Sequence, residues 1–223
     1  MPDGLDWQAL WLTLRLASLT TAILLLIALP LGGWLALSGS RLARITEAIV
    51  ALPLILPPTV LGFYLLVLLG PRTGPGRLIS KVLGHPLAFS FEGLVVGSVI
   101  YSMPFAVQPI AAGFAAIDGD LLDTARLLGS RGVELLFRVL APLSKRSIVA
   151  ACVLSFAHTI GEFGVVLMLG GGIPGQTKTL SISIYDQVQV FDYASANRTS
   201  LLLIVVSFVA LLFLYGRRRT MNA

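Results

Sequence analysis

The sequence predicts an all-α polytopic membrane protein with about five transmembrane helices. Hydrophobic residues make up 56% of the chain and charged residues only 12%. The apolar residues gather into blocks of about 20, the length that crosses a bilayer as helix, and Lys and Arg are shared unevenly between the loops. The blocks lie at about residues 11–37, 45–69, 93–114, 147–169 and 194–215. Buried helices of soluble proteins carry shorter apolar stretches, of about 10 to 14 residues. The first block is too long for a secretory signal and follows Asp3 and Asp6 rather than basic residues, so it is expected to remain as a span.

An odd number of spans puts the two ends on opposite sides. Arg41, Arg44, Arg126, Arg131, Arg138, Lys145, Arg146 and Arg217 to Arg219 fall on one side, ten in all; Arg72, Arg77, Lys81, Lys178 and Arg198, five, fall on the other. Basic residues are retained in the cytoplasm. The N-terminus is therefore expected outside, the C-terminus inside, and the long polar loop 115–146 in the cytoplasm. Topology accounts for most of the net charge of +5, and no nucleic-acid partner is expected. The lone Cys152 sits in an apolar block, His85 in an outer loop and His158 in a span. With no phosphate-binding glycine loop, nucleophile elbow or His and acid cluster at ligand spacing, the chain is expected to be no enzyme and to hold no cofactor or metal of its own.

That makes the loop 115–146 the informative place. Asp118 and Asp120 can cap a helix start, with Asp123 also in the first turn, where its charge suits the positive end of the dipole. Ala125 and Gly129 are four apart and share a face, leaving a shallow surface for another helix. Gly129 can equally be the left-handed residue that ends this helix, with Gly132 permitting a second turn. A further helical stretch, Val133 to Leu140, then meets Pro142, which is expected to stop it before the fourth span. Any cytoplasmic loop of this length can also fold as a plain helical hairpin.

The residues Asp123-Thr124-Ala125, three residues, Gly129, nine residues, and then Val139-Leu140-Ala141-Pro142 resemble the E-A-A…G…I-x-L-P pattern of the membrane subunits of binding-protein-dependent ABC importers, with substitutions but the same spacing. The segment Leu52-Pro53-Leu54-Ile55-Leu56-Pro57-Pro58-Thr59-Val60-Leu61-Gly62 looks like the second span of molybdate permeases. Thr159-Ile160-Gly161-Glu162-Phe163-Gly164, with Gly172 to Leu180 after it, is similar to that subgroup's signature. The resemblance covers about residues 12 to 200 and implies a type I importer permease fold. It implies an ATPase-coupling site at Asp123, Thr124, Ala125, Arg126, Gly129 and Pro142, with Asp123 and Arg126 hydrogen-bonding at the rim of a groove on the ATPase. It further implies a homodimer, two cytoplasmic ATPase subunits carrying Mg–ATP, an external molybdate-binding protein, and molybdate as substrate in the inner membrane. Sulfate and tungstate permeases are the nearest alternatives. A secondary transporter would show internal repeats and paired intramembrane charges, and fits poorly.

Beside that resemblance, Glu162 falls in an apolar span, where a carboxylate costs roughly 2.5 to 3.5 kcal/mol on insertion scales. It is expected to be compensated by Thr159 or a neighbouring helix, with Gly161 and Gly164 allowing close approach, in a gating or packing role. A bare carboxylate repels an oxyanion and is no ligand for one. Arg15, near the outer end of the first span, is expected to snorkel to the interface. Pro53, Pro57, Pro58, Pro104 and Pro109 are expected to bend or break the second and third spans. In the stretch 172–197, Leu180, Ile182 and Ile184 alternate as in a strand, whereas Ile184, Val188 and Phe191 fit one face of a helix; the resemblance implies the interfacial helix.

Overall fold

Asp6 opens the first helix by accepting a hydrogen bond from the Ala9 amide at 2.9 Å, and α1 then runs from Trp7 to Leu37. At 1.5 Å per residue this is about 46 Å, more than the roughly 30 Å hydrocarbon core requires. The computed structural model describes residues 6–216, with side chains to 212. Asp3 and Arg217 to Arg219, which enter the charge argument, lie outside the described residues. Within that range all regular structure is helical. Three helices are long and apolar enough to span (Trp7–Leu37, Phe91–Ala115 and Tyr193–Leu212), and two sharply bent pairs bring the number to as many as five.

The second apolar block is not one helix. α2 (Arg41–Ala51), capped by Ser40, passes through a 3₁₀ turn at Leu52–Leu54, and α3 (Pro58–Leu69) starts afresh, bent by 110° from the preceding helix. The cause is chemical: three prolines in six residues remove amide donors, and Pro57, preceding Pro58, is pushed to φ −55°, ψ 135° because the α region is disfavoured before proline. Neither piece, at about 16 and 18 Å, crosses a bilayer alone. α4 (Gly74–Leu83) follows on the loop that carries Arg77 and Lys81. No apolar block foretold it.

α5 (Phe91–Ala115) is capped by Ser90 and runs as one helix through Pro104 and Pro109, so the break expected there is absent. The loop after it forms α6 (Gly119–Leu127), then a continuous helical stretch: α7 (Gly132–Leu135), a π turn at Leu136–Leu140, and α8 (Ala141–Leu143). Pro142 does not stop this stretch. Its missing amide follows a π turn in which the Ala141 amide reaches back to the Leu136 carbonyl, one of the standard ways a helix absorbs a proline. The chain turns instead at Ser144, by 85° into α9 (Lys145–Ile160).

The fourth block is also interrupted. α9 covers about 24 Å and stops at Ile160; α10 (Gly164–Gly170) follows after a gap at Gly161, Glu162 and Phe163. α11 (Leu180–Gln189) is helical as expected, but its buried residues are Leu180, Ile182 and Ser183. Phe191 lies beyond the helix end, at φ 60°, so Ile184, Val188 and Phe191 do not form its packed face. Asp192 caps α12 (Tyr193–Gly216) by accepting from the Ser195 amide at 3.1 Å. The Ser195 hydroxyl and amide hold that carboxyl below its ordinary range.

Two cores result. The larger joins α1, α5 and α9 with the α6 to α8 stretch, through residues such as Leu16, Leu24, Ile110, Phe114, Leu136 and Leu140. The smaller joins α3 to α10 through Leu65, Leu69, Val165 and Leu169. In the larger one, α5 and α9 approach at Gly113, where an added Cβ would lie 2.2 Å from Ser147 Oγ and 2.4 Å from Ser147 Cβ. Ser144 donates its hydroxyl to the Gly113 carbonyl at 3.0 Å. Gly113→Val is expected to destabilise the detergent-solubilised protein by about 1–3 kcal/mol, as overpacking does, read from thermal unfolding. Gly39→Ala, at a position open to at least 4 Å, is the control expected to change nothing.

Candidate functional site

α6 is built from its own short-range bonds. The Asp118 side chain caps it by accepting from the Asp120 amide at 2.9 Å. Asp120 is the acid of the first turn; Asp123 lies a turn further on, so the expected contact of Asp123 with the helix start belongs to Asp120. At the other end the Ser130 amide donates to the Ala125 carbonyl and the Gly129 amide to the Arg126 carbonyl, both at 3.0 Å. This is the paired bonding of a Schellman motif, and it puts Gly129 at φ +93°, with Gly132 following at φ +52°. A Cβ at Gly129 would meet nothing within 4 Å, so glycine is needed there for backbone conformation rather than space.

The faces of α6 differ from the sequence expectation. Ala125 is half-buried and packs beside buried Leu122 against the larger core, which roots the helix there. What α6 offers outward is apolar: Leu127 is 89% exposed and Leu128 82%. Sequence reasoning passed over this pair. Two leucines directly before a helix-ending glycine, with no buried partner to claim them, are the signal that could have found it. Asp123 and Arg126 pair with one another along the helix at 2.9 Å, both largely exposed, and such pairs contribute little to stability. The Thr124 hydroxyl bonds back to the Asp120 carbonyl at 2.8 Å. Pro142 is exposed on the helical stretch beyond, which the structure does not join to Asp123, Thr124, Ala125, Arg126 and Gly129 in one cluster.

The second candidate is the gap between α9 and α10. Glu162 is only 4% exposed, and neither carboxylate oxygen has a hydrogen-bond partner. The hydroxyl of Ser98 on α5, itself buried without a partner, is the polar group that faces it. Thr159 does not compensate it: its hydroxyl donates to the Ser155 carbonyl at 2.8 Å and meets Ser102 at 3.0 Å. Ser102 in turn lies 2.9 Å from His158 Nδ1, whose ring stacks on Phe105 at 4.0 Å. A polar seam therefore joins α5 and α9 just before the gap. Of the two glycines beside Glu162, only Gly164 makes a close approach. Its Cβ would lie 2.6 Å from Pro58 Cβ, whereas Gly161 is exposed and meets nothing nearer than carbonyls of its own helix at 3.8 Å. The break in the second block and the break in the fourth thus touch. Among the described residues no three His, Cys, Asp or Glu side chains gather to hold a metal.

An all-helical polytopic subunit, with two interrupted spans in contact and an exposed apolar helix end on one side, defines a transport protein's membrane component as a class. Residues 28–218 match the family described as binding-protein-dependent transport system inner membrane component, and the chain belongs to that family. It is 48% identical over 215 residues to the molybdenum transport system permease protein ModB of Azotobacter vinelandii, covering 96% of this chain and 95% of that one. Against the ModB of Escherichia coli K12 it is 32% identical over 93% of this chain and 91% of that one. Against a putative molybdenum transport system permease protein of Bacillus subtilis it is 30% identical over the same shares. The fold is shared with a chain of a bacterial alginate ABC transporter, at TM-score 0.76 and 19% identity, covering 96% of this chain and 78% of that one. It is shared also with a chain of the MetNI methionine ABC transporter in inward-facing form, at TM-score 0.74 and 17% identity, covering 98% of each.

Because Gly129 has open space and a left-handed backbone, substitutions there separate conformation from bulk. Gly129→Val is expected to cost about 1–2 kcal/mol of local stability and to speed hydrogen exchange at the Gly129 and Ser130 amides. Gly129→Asn, which tolerates that conformation, should stay close to the parent.

Proposed function

We propose that this chain is the permease subunit of an ATP-driven importer that takes molybdate from an external binding protein across the inner membrane. The substrate reading rests on the molybdenum-transport relatives, above all the one matching nearly end to end at 48% identity. The observation that carries the coupling reading is α6, a short helix rooted through Leu122 and Ala125 and tipped by exposed Leu127 and Leu128.

In this reading the N-terminus is outside, the C-terminus inside, and the whole chain forms one transmembrane domain that works as a homodimer with the path between two copies. Two cytoplasmic ATPase subunits bind and hydrolyse Mg–ATP; this chain is non-catalytic and contributes no group to that chemistry. Each ATPase receives α6, with Leu127 and Leu128 entering an apolar groove and Asp123 and Arg126 at its rim. Burying two leucines is worth about 1.5 to 3 kcal/mol each, enough to hold a helix of nine residues to a moving partner. Because Leu122 and Ala125 lie in the larger core, displacement of α6 is carried into α1, α5 and α9. The α3 and α10 pair rests on α5, where Gly97 lets Val165 and Leu169 approach closely, so motion of the larger core reaches it through that packed face and opens the path outward. Glu162 lies at that junction and acts there as a gating or packing residue. Tight binding of molybdate belongs to the external binding protein, because a strong site inside the permease would slow release.

The test is uptake of labelled molybdate into proteoliposomes holding the permease, its ATPase and the binding protein. Uptake is expected to require ATP and to resist excess sulfate. Leu128→Asp is expected to lower it at least tenfold while the permease remains folded. Uptake indifferent to ATP contradicts the importer reading, and uptake abolished by sulfate contradicts molybdate as the substrate.

A further inference from the structure

On the face of the molecule opposite α6, α1 carries an arrangement that the transport reading leaves unused. Trp7, Trp11 and Arg15 follow one another at helical spacing of four, and both tryptophans are well exposed. Exposed tryptophans on a spanning helix mark the level of the lipid headgroups. Arg15 lies about 12 Å further along the axis, inside the level of the first tryptophan. Helical side chains lean back toward the N-terminus, so its guanidinium returns toward that level. It rests on the Phe91 ring at 4.5 Å and takes part in none of the ion pairs found among the described residues.

Two cavities meet at this arginine. One, of about 670 Å³, opens at the membrane surface among Gln8, Trp11, Arg15, Phe89, Phe91 and Gln176, with Glu92 also on its wall. The other, a groove of about 560 Å³, runs down α1 past Leu14, Ser18 and Leu19 and shares Trp11 and Arg15 with the first. The upper space offers a cation and two side-chain amides; the lower one is walled mainly by apolar groups and ends about 18 Å below Trp7.

We propose that this pair of cavities binds one phospholipid of the leaflet opposite α6, with its phosphate on Arg15 and an acyl chain in the groove. The shape selects the occupant. A free oxyanion has no use for an apolar groove beneath its charge, and Glu92 beside Arg15 weighs against a small dianion held there alone. A loop of a water-soluble partner does not descend to Leu19, which lies at hydrocarbon depth. A lipid matches both halves at once, because guanidinium and phosphate form charge-assisted hydrogen bonds and the chain covers apolar surface that would otherwise face loosely packed tails.

The experiment uses the complete permease and ATPase complex, stripped of lipid in mild detergent, supplied with dioleoylphosphatidylglycerol or with dioleoylglycerol, and examined by native mass spectrometry. The intact complex is expected to retain one phosphatidylglycerol per permease chain and no dioleoylglycerol, and to keep the lipid in millimolar molybdate or inorganic phosphate. Arg15→Ala should lower occupancy at least tenfold. Ser18→Trp, an outward-facing change that fills the groove, should do the same should the arginine variant assemble poorly. Equal retention by parent and both variants overturns the proposal. Displacement by molybdate or phosphate overturns it in favour of a free oxyanion. A disulfide between two chains carrying Ser18→Cys overturns it by showing that this face is a contact between copies.

Discussion

Everything distinctive in this molecule depends on one contact, that of Gly164 with Pro58. A bilayer allows irregular backbone at membrane depth only where it is buried in protein or lines water. This chain has two such interruptions, one made by the prolines of the second block and one at Gly161, Glu162 and Phe163. The structure sets them against each other at Gly164 and Pro58. The close approach is possible because residue 164 has no side chain; a methyl group there would fall 2.6 Å from Pro58 Cβ. The same economy continues along α3 and α10, where a Cβ on Gly62 would lie 2.8 Å from Met168 Cβ.

From that contact follows a division of labour. α1, α5 and α9 share a continuous core with the α6 to α8 stretch, to which α10 adds Val166, while α3 and α10 meet in a smaller core that packs on α5 through Val96, Ile100 and Tyr101. The two parts meet through packed side chains, at Gly97 against Val165 and Leu169, and through backbone outside regular helix, where φ and ψ change at lower cost than in an intact helix. The carboxyl of Glu162 at the join is buried with no hydrogen-bond partner. Its cost is consistent with a site whose surroundings differ between two arrangements of the protein. The Ser144 hydroxyl on the Gly113 carbonyl and the Ser102 to His158 contact tie α5 to α9 at two levels, so these helices move together.

The sequence made the all-helical membrane class plain, because apolar blocks of spanning length have few other meanings. It made the short helix α6 plain too: the acids that start it and the glycine that ends it are local signals, and Asp118 and Gly129 perform those tasks. Failures came where the outcome depends on tertiary neighbours. Proline content alone did not distinguish the second block, which breaks, from α5, which carries two prolines as one helix. In the former, consecutive prolines force an extended residue; in the latter, single prolines are absorbed. The effect of Pro142 was misplaced by two residues because a π turn accommodates it, and the bend passed to Ser144. Ala125 packs partly against the core, and nothing in its immediate sequence shows which side of a nine-residue helix will be covered.

The central claim is that the exposed leucine end of α6 seats in the ATPase and transmits its motion. The most direct measurement is site-specific cross-linking in assembled, functional complexes, with a photoreactive residue in place of Leu128 and, for comparison, in place of Leu78, which is exposed on α4 across the membrane. The account predicts an adduct with the ATPase from position 128, with a yield that changes several-fold between nucleotide-free and ATP-bound states, and none from position 78. An ATPase that assembles and hydrolyses ATP without forming any adduct at position 128 would contradict it.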